Sequence, residues 1–201
     1  MRKVLKRVGS NLWAYLLCVF VVVIIWNGIF GALTSIPAEE KIVVFIASND
    51  QFLVEADQLQ QDLPNGIKSV DVYLKAPSTT YFDAYLTAYG YLQGDILILP
   101  ESVVQSGRLS EYFSQIPEKY LQEFPHLGLW QENGKIYGLQ IHDCESHQSV
   151  ISSLNYGQAE DEENYYLFFG LKSLHLGDMS NEYSEKNDNG AIIVARRLLS
   201  Q

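Results

Sequence analysis

Cysteine is scarce in this chain: Cys18 and Cys144 are the two in 201 residues. Cys18 lies within an apolar run and Cys144 far downstream, so an intradomain disulfide is not expected, and a disulfide scaffold is excluded. Cys-x-x-Cys pairs are absent. So are the phosphate-cradling loop, the dinucleotide fingerprint and the nucleophile elbow, because the 14 glycines do not cluster as those motifs require. Nothing in the spacing of carboxylates and histidines sets up catalysis, and the chain reads as a non-enzyme with no cofactor. Basic residues are also few: 14 Lys and Arg stand against 24 Asp and Glu, a net charge of -10. Four of the basic residues are Arg2, Lys3, Lys6 and Arg7, and no acidic residue precedes Glu39. The rest therefore carries 10 basic and 24 acidic residues, a balance of -14. A nucleic-acid partner needs the opposite sign.

Long apolar stretches, by contrast, are present. Leu12 to Leu33 contains 22 residues and no charge. As a helix it spans roughly 33 Å, against a hydrocarbon core of roughly 30 Å. A cleaved signal peptide prefers a small residue three places before the cut. Cuts after Ala32 or Ala38 place Phe30 or Ile36 there. Leu17, directly before Cys18, is bulky for a lipoprotein signal. An uncleaved anchor is the reading that fits. The basic flank puts residues 1–11 in the cytoplasm, 12–33 in the membrane, 34–40 in a linker and 41–201 outside.

The exported part alternates strands and helices. KIVVFIA at 41–47 is a strand buried on both faces, and Phe52, Ala56, Leu59 and Leu63 recur at helical spacing over 51–63. Val70, Val72 and Leu74 alternate with polar or amphipathic residues, as in a half-exposed strand. Pro77 and Ser78 open a second helix to about Tyr89, which Gly90 is expected to stop, and DILILP at 95–100 is a third strand. This is a βαβαβ unit with strand order 2-1-3. Short helical pieces fill 101–125, KIYGLQI and YYLFFG are strands, 143–164 reads as a polar loop or partly ordered insertion, and Ala191 to Leu199 is a closing helix. The expected fold is α/β, a three-layer αβα domain with a mainly parallel sheet.

KIVVFIASND, IKSVDVYL, GDILILPES, GKIYGLQI and NYYLFFGLKSLHLG, in that order, resemble the first lobe of bacterial extracellular solute-binding proteins. These have the type 2 periplasmic-binding-protein fold and feed ABC importers. The resemblance covers about 41–200 and implies a periplasmic-binding-protein-like single lobe. It implies as partner a small solute (sugar, amino acid or peptide), an ABC importer or another envelope protein. A complete member clasps ligand between two lobes, and the residues here suffice for one. That leaves a second reading open, a scaffold or assembly protein with a degenerate cleft.

In open α/β sheets ligands bind beyond the carboxyl ends of the strands, where neighbouring connections diverge. The candidate contacts are Ser48, Asn49 and Asp50 after the first strand and Glu101 and Ser102 after the third. Trp130 and Tyr137 are candidates for an aromatic platform. All seven are equally ordinary cap, turn or core residues. His142, Asp143, Cys144, Glu145 and His147 are five metal-ligand types in six positions, but the spacing matches no closed zinc site and no metal is assigned. The acidic run 160–163 lacks the ligand alternation of a calcium loop and reads as solvated.

The orientation is testable. Alkaline phosphatase fused after Gln201 is expected to be active, and a fluorescent protein fused there to be dark. The reverse pattern overturns the assigned topology.

Overall fold

The computed structural model describes residues 2–49, 59–61, 63–104, 107–122, 124, 127–154, 156, 162–180 and 188–200. The chain divides into two compact units, Met1–Pro37 and Ala38–Gln201. The first is a single helix, α1 (Arg2–Thr34). Its segment Leu12–Ile29 is long and apolar enough to cross a membrane, and none of it is buried within the protein. Signal sequences share that property.

The second unit is built on a mixed sheet of seven strands. These are β1 (Lys41–Ala47), β2 (Ser69–Lys75), β3 (Ile96–Pro100), β4 (Leu129–Glu132), β5 (Lys135–Asp143), β6 (Gln148–Ser149) and β7 (Tyr165–Phe169). Their lateral order is β2-β1-β3-β7-β5-β4, with β6 paired to β5. β1 runs parallel to both β2 and β3. Every other pair is antiparallel. The expected mainly parallel sheet is therefore corrected to a mixed one. For the β4–β5 pair the reason is local. Asn133 (φ 52°) and Gly134 (φ 75°) both take the left-handed conformation of a two-residue hairpin turn, which joins β4 to β5 with no room for a crossover.

Alternation along the strands divides the core between two faces. Ile42, Val44, Ile46, Ile96, Ile98, Leu167 and Phe169 face one side. They pack against Ala191, Ile192, Val194 and Leu198 of the closing helix, α5 (Gly190–Leu199). Phe45, Leu97, Leu99 and Phe168 face the other, against Phe82, Leu86, Leu109 and Phe113. On that second side lie α2 (Phe82–Tyr85) and α3 (Leu109–Tyr112); α4 (Glu118–Leu121) sits with the first. The helix expected over 51–63 falls largely outside the described residues; Leu59, which is described, is fully buried.

Gly90 does not stop the second helix. The chain passes from α2 into a π-helical turn, Leu86–Tyr91, with Gly90 inside it. A Cβ on Gly90 would lie 2.9 Å from Leu86 Cδ1 and 3.2 Å from Leu97 Cδ2, so glycine here lets the helix approach β3 closely. Gly170 is tighter still. A Cβ there would fall 1.9 Å from the backbone oxygen of Gly94.

One buried polar network joins the strands at the start of β3. Asp95 is 4% exposed. Its Oδ2 accepts the Val43 N–H (2.7 Å) and its Oδ1 accepts the Ser173 hydroxyl (2.5 Å). Burial pushes its carboxyl up to about 6, against the opposing pull of His175, Ser173 and Val43. His175 is 1% exposed, with Nδ1 3.0 Å from Asp188 Oδ2 and Nε2 3.1 Å from the Ala38 carbonyl oxygen. Burial alone would lower its pKa. The hydrogen bond to Asp188, the charge of Asp95 and the Ala38 carbonyl outweigh that and raise it to about 9. Both ring nitrogens face acceptors, so the ring is held as the doubly protonated imidazolium.

Two outcomes follow for the fragment 38–201, which contains both core clusters. Gly170→Ala is expected to destabilise it by about 2–3 kcal/mol through overpacking against backbone; an unchanged urea midpoint would contradict the close contact. The His175 shift is upward, so its stabilisation is complete below about pH 6.5 and is lost as pH rises through about 9. Asp95 adds a loss of the same sign between about pH 4 and pH 6. Urea unfolding at pH 6.5 and pH 9.5 should show a decrease of about 1–3 kcal/mol, and His175→Gln should flatten it. A flat wild-type profile would refute the imidazolium.

Candidate functional site

Because β1 and β3 are parallel, their carboxyl ends open on one edge of the sheet. Ser48 follows β1 and is buried, with its N–H donating to the Lys75 carbonyl at 3.1 Å. Asn49 is exposed, and its Oδ1 accepts the Ser78 hydroxyl (3.0 Å). Asp50 lies outside the described residues.

Glu101 and Ser102 begin a short 3₁₀ turn after β3, Glu101–Val103, and both are exposed. They are engaged by the segment leading into β7. Asn164 Nδ2 donates to Glu101 Oε2 at 2.8 Å, and the Glu101 N–H donates to the Asn164 carbonyl at 2.9 Å. The Ser102 N–H and hydroxyl both donate to the Glu163 carboxylate, at 2.9 and 3.0 Å. The expected solvated acidic run is thus corrected for its described part: Glu163 is a specific acceptor.

Trp130 and Tyr137 belong to the core of the second face rather than to one exposed platform. Tyr137 is 4% exposed. Trp130 is half-buried and meets Tyr166 edge-on, with ring centroids 4.6 Å apart. Burial raises the Tyr166 phenol above its usual range, with help from Glu101, Asp143 and Cys144.

An open groove lies over the second face. It holds about 680 Å³, with Pro77 and Ser102 among its lining residues. The π-helical turn supplies Leu86, Thr87 and Tyr91, α2 supplies Phe82 and Asp83, and α3 supplies Glu111 and Tyr112. Lys172 is a further lining residue. The rings of Tyr91 and Tyr112 stack at 4.2 Å. Burial, then the neighbouring Tyr112 and Asp83, push the Tyr91 phenol up to about 12. A second stack, Tyr73 on Tyr89 at 4.5 Å and Tyr89 on Tyr85 at 6.0 Å, runs on the other flank of the same helix, with the Lys75 ammonium 4.4 Å from the Tyr85 ring centroid. Stacked phenols beside carboxylates and an amine suit a ligand with both apolar faces and polar groups. Extra turns of π-helix recur at functional sites because they re-aim side chains.

Of the seven sequence candidates, Ser102 alone reaches this groove. Sequence reading missed Asp83, Tyr91 and Tyr112. No local pattern marked them: the four-residue recurrence of Tyr81, Tyr85 and Tyr89 picks out other side chains, none of which lines the groove.

The polar loop after β5 is more ordered than expected. β5 extends to Asp143, and the turn 144–147 leads into β6. His142 and His147 both approach Glu162, from residues far apart in the chain. Asp143 accepts from the Ser146 hydroxyl (2.7 Å) and the Glu145 N–H (3.1 Å), which lower its pKa. Cys144 is partly buried, and its N–H donates to Asn164 Oδ1 at 3.1 Å. Among the described residues, no three His, Cys, Asp or Glu side chains stand as a ready-made metal centre.

Comparison with protein-family models, curated proteins and solved structures finds no match to this chain.

Proposed function

We propose that this chain is a membrane-anchored, extracytoplasmic, non-catalytic binding domain of solute-binding type. The groove between the π-helical turn and α3 carries the reading. It is open, its lining includes Tyr91, Tyr112, Asp83, Glu111 and Lys172, and it includes Ser102, which follows β3 at the strand ends where α/β sheets take ligands. A sugar, amino acid or short peptide matches that lining: ring or side-chain faces lie on Tyr91 and Tyr112, and polar groups meet Ser102 and the rim. The helix α1 holds the domain at the membrane, and the basic flank of Arg2, Lys3, Lys6 and Arg7 sets the domain outside. An ABC importer or another envelope protein is the partner class for such a domain.

The scaffold reading is second, and one observation favours it. Glu163 and Asn164 already occupy hydrogen-bonding groups of Ser102 and Glu101. A crevice engaged by its own chain is less available to a solute.

Thermal unfolding of 38–201 against sugars, amino acids and peptides separates the two. A ligand at about 100 times its Kd stabilises by about 2.7 kcal/mol, a shift of very roughly 5–10 °C. One responding class, with the response lost in Tyr112→Ala and in Ser102→Ala, is the expected result. A flat panel on a folded fragment rejects the solute reading and leaves the scaffold.

A further inference from the structure

The apolar run of α1 carries one side chain that lipid does not satisfy. Between Leu12 and Leu33 there is no charge, and no serine, threonine, glutamine or histidine. Asn27 is the run's one amide side chain. It stands six residues before Leu33. In a membrane-spanning helix it therefore sits roughly 9 Å inside the nearer end of the run. It is exposed on the helix, and among the described residues its amide has no hydrogen-bond partner. Lysine and arginine escape such a depth by reaching out to the interface, and an asparagine side chain is too short to do so.

Within hydrocarbon an unpaired polar group is costly, and such side chains turn toward a protein partner that hydrogen-bonds them. None of Leu12–Ile29 is buried within the protein, so no described part of this chain is that partner. At 3.6 residues per turn, Phe20, Ile24 and Gly31 lie within about 60° of Asn27 around the helix, and Cys18 lies about 180° from it. A Cβ on Gly31 would meet nothing within 4 Å, so no packing inside the chain requires glycine there. Glycine weakens a helix, and in a span its use is to let a second backbone come close. One occupant matches both features. An identical helix inserted in the same direction presents its own Asn27 at the same depth. Each amide donates an N–H and accepts at its carbonyl oxygen, so two of them satisfy one another across a two-fold axis.

We propose that α1 pairs with α1 of a second copy of this chain. The pair is a parallel dimer in the membrane, its contact face formed by Phe20, Ile24, Asn27 and Gly31, with the two Asn27 amides hydrogen-bonded to each other. The inference rests on the reading of α1 as an uncleaved anchor and is independent of what the groove binds. Pairing tethers two exported domains to one anchorage, so a partner that engages both is held by avidity.

The test uses the full chain. In membranes washed with alkaline carbonate the chain should stay bound with its N-terminus intact. Sedimentation equilibrium of the purified chain in detergent micelles should give a dimer. Asn27→Leu should weaken association by at least about fivefold, and Asn27→Gln, which keeps an amide, should retain it. In membranes, oxidation should cross-link Phe20→Cys into dimers when Cys18→Ser and Cys144→Ser are also present. Cys18 itself, exposed on the opposite face, should not cross-link in a Cys144→Ser chain. Release by carbonate, or a cleaved N-terminus, overturns the anchor reading and the pairing with it. A chain that stays in the membrane yet is monomeric in micelles and not cross-linked overturns the pairing alone. So does a dimer indifferent to Asn27→Leu, or cross-linking as strong through Cys18 as through Phe20→Cys. An Asn27-dependent cross-link to a different membrane protein would give the amide another partner and overturn the second copy equally.

Discussion

A carboxylate buried at the start of β3 has to be satisfied, and several parts of the domain are placed by that need. Asp95 takes the Val43 N–H from β1 and the Ser173 hydroxyl from beyond β7. Its charge faces His175, which reaches in turn to Asp188 at the head of α5 and to the carbonyl of Ala38 at the domain's first turn. A buried charge is tolerated only when paired and hydrogen-bonded, and breaking such a set costs about 3–5 kcal/mol. The amino end of the parallel strands is therefore locked. The carboxyl end carries the connections, and there the candidate contacts and the groove are found.

Close backbone approach is the second constraint. Gly170 lies against Gly94, and Gly90 lies against β3. Together they bring the helical layer down onto the strands and fix where the π-helical turn sits. The turn sends Tyr89 to one flank, against Tyr73, and Tyr91 to the other, against Tyr112. The groove is the space between that turn and α3. It is a product of packing rather than of any single motif.

The segment entering β7 ties three parts of the domain together. Three consecutive side chains, Glu162, Glu163 and Asn164, contact the histidine turn, the turn after β3 and the end of β5. In sequence they close an acidic polar stretch with no periodicity, which reads as loop. Their partners lie far away along the chain: His142 for Glu162, Ser102 for Glu163 and Glu101 for Asn164. No local pattern marks such pairs.

The sequence by itself determined the apolar helix, the acidic domain after it, and β1, β2, β3, β5, β7 and α5. Each of these is a run whose period or uninterrupted hydrophobicity states its own burial. It did not show that Asn133 and Gly134 form a hairpin that reverses the strands. Tertiary structure decided the rest: the mixed strand directions, the helical role of Gly90, the burial of Tyr137, the Asp95–His175 network and the meeting of His142, His147 and Glu162. The division has a physical cause. Hydrophobic period is a property of neighbouring residues, because each side chain's face follows from the local backbone. Polar contacts and close approaches depend on which distant segments are packed together, and a burial pattern is compatible with many such pairings.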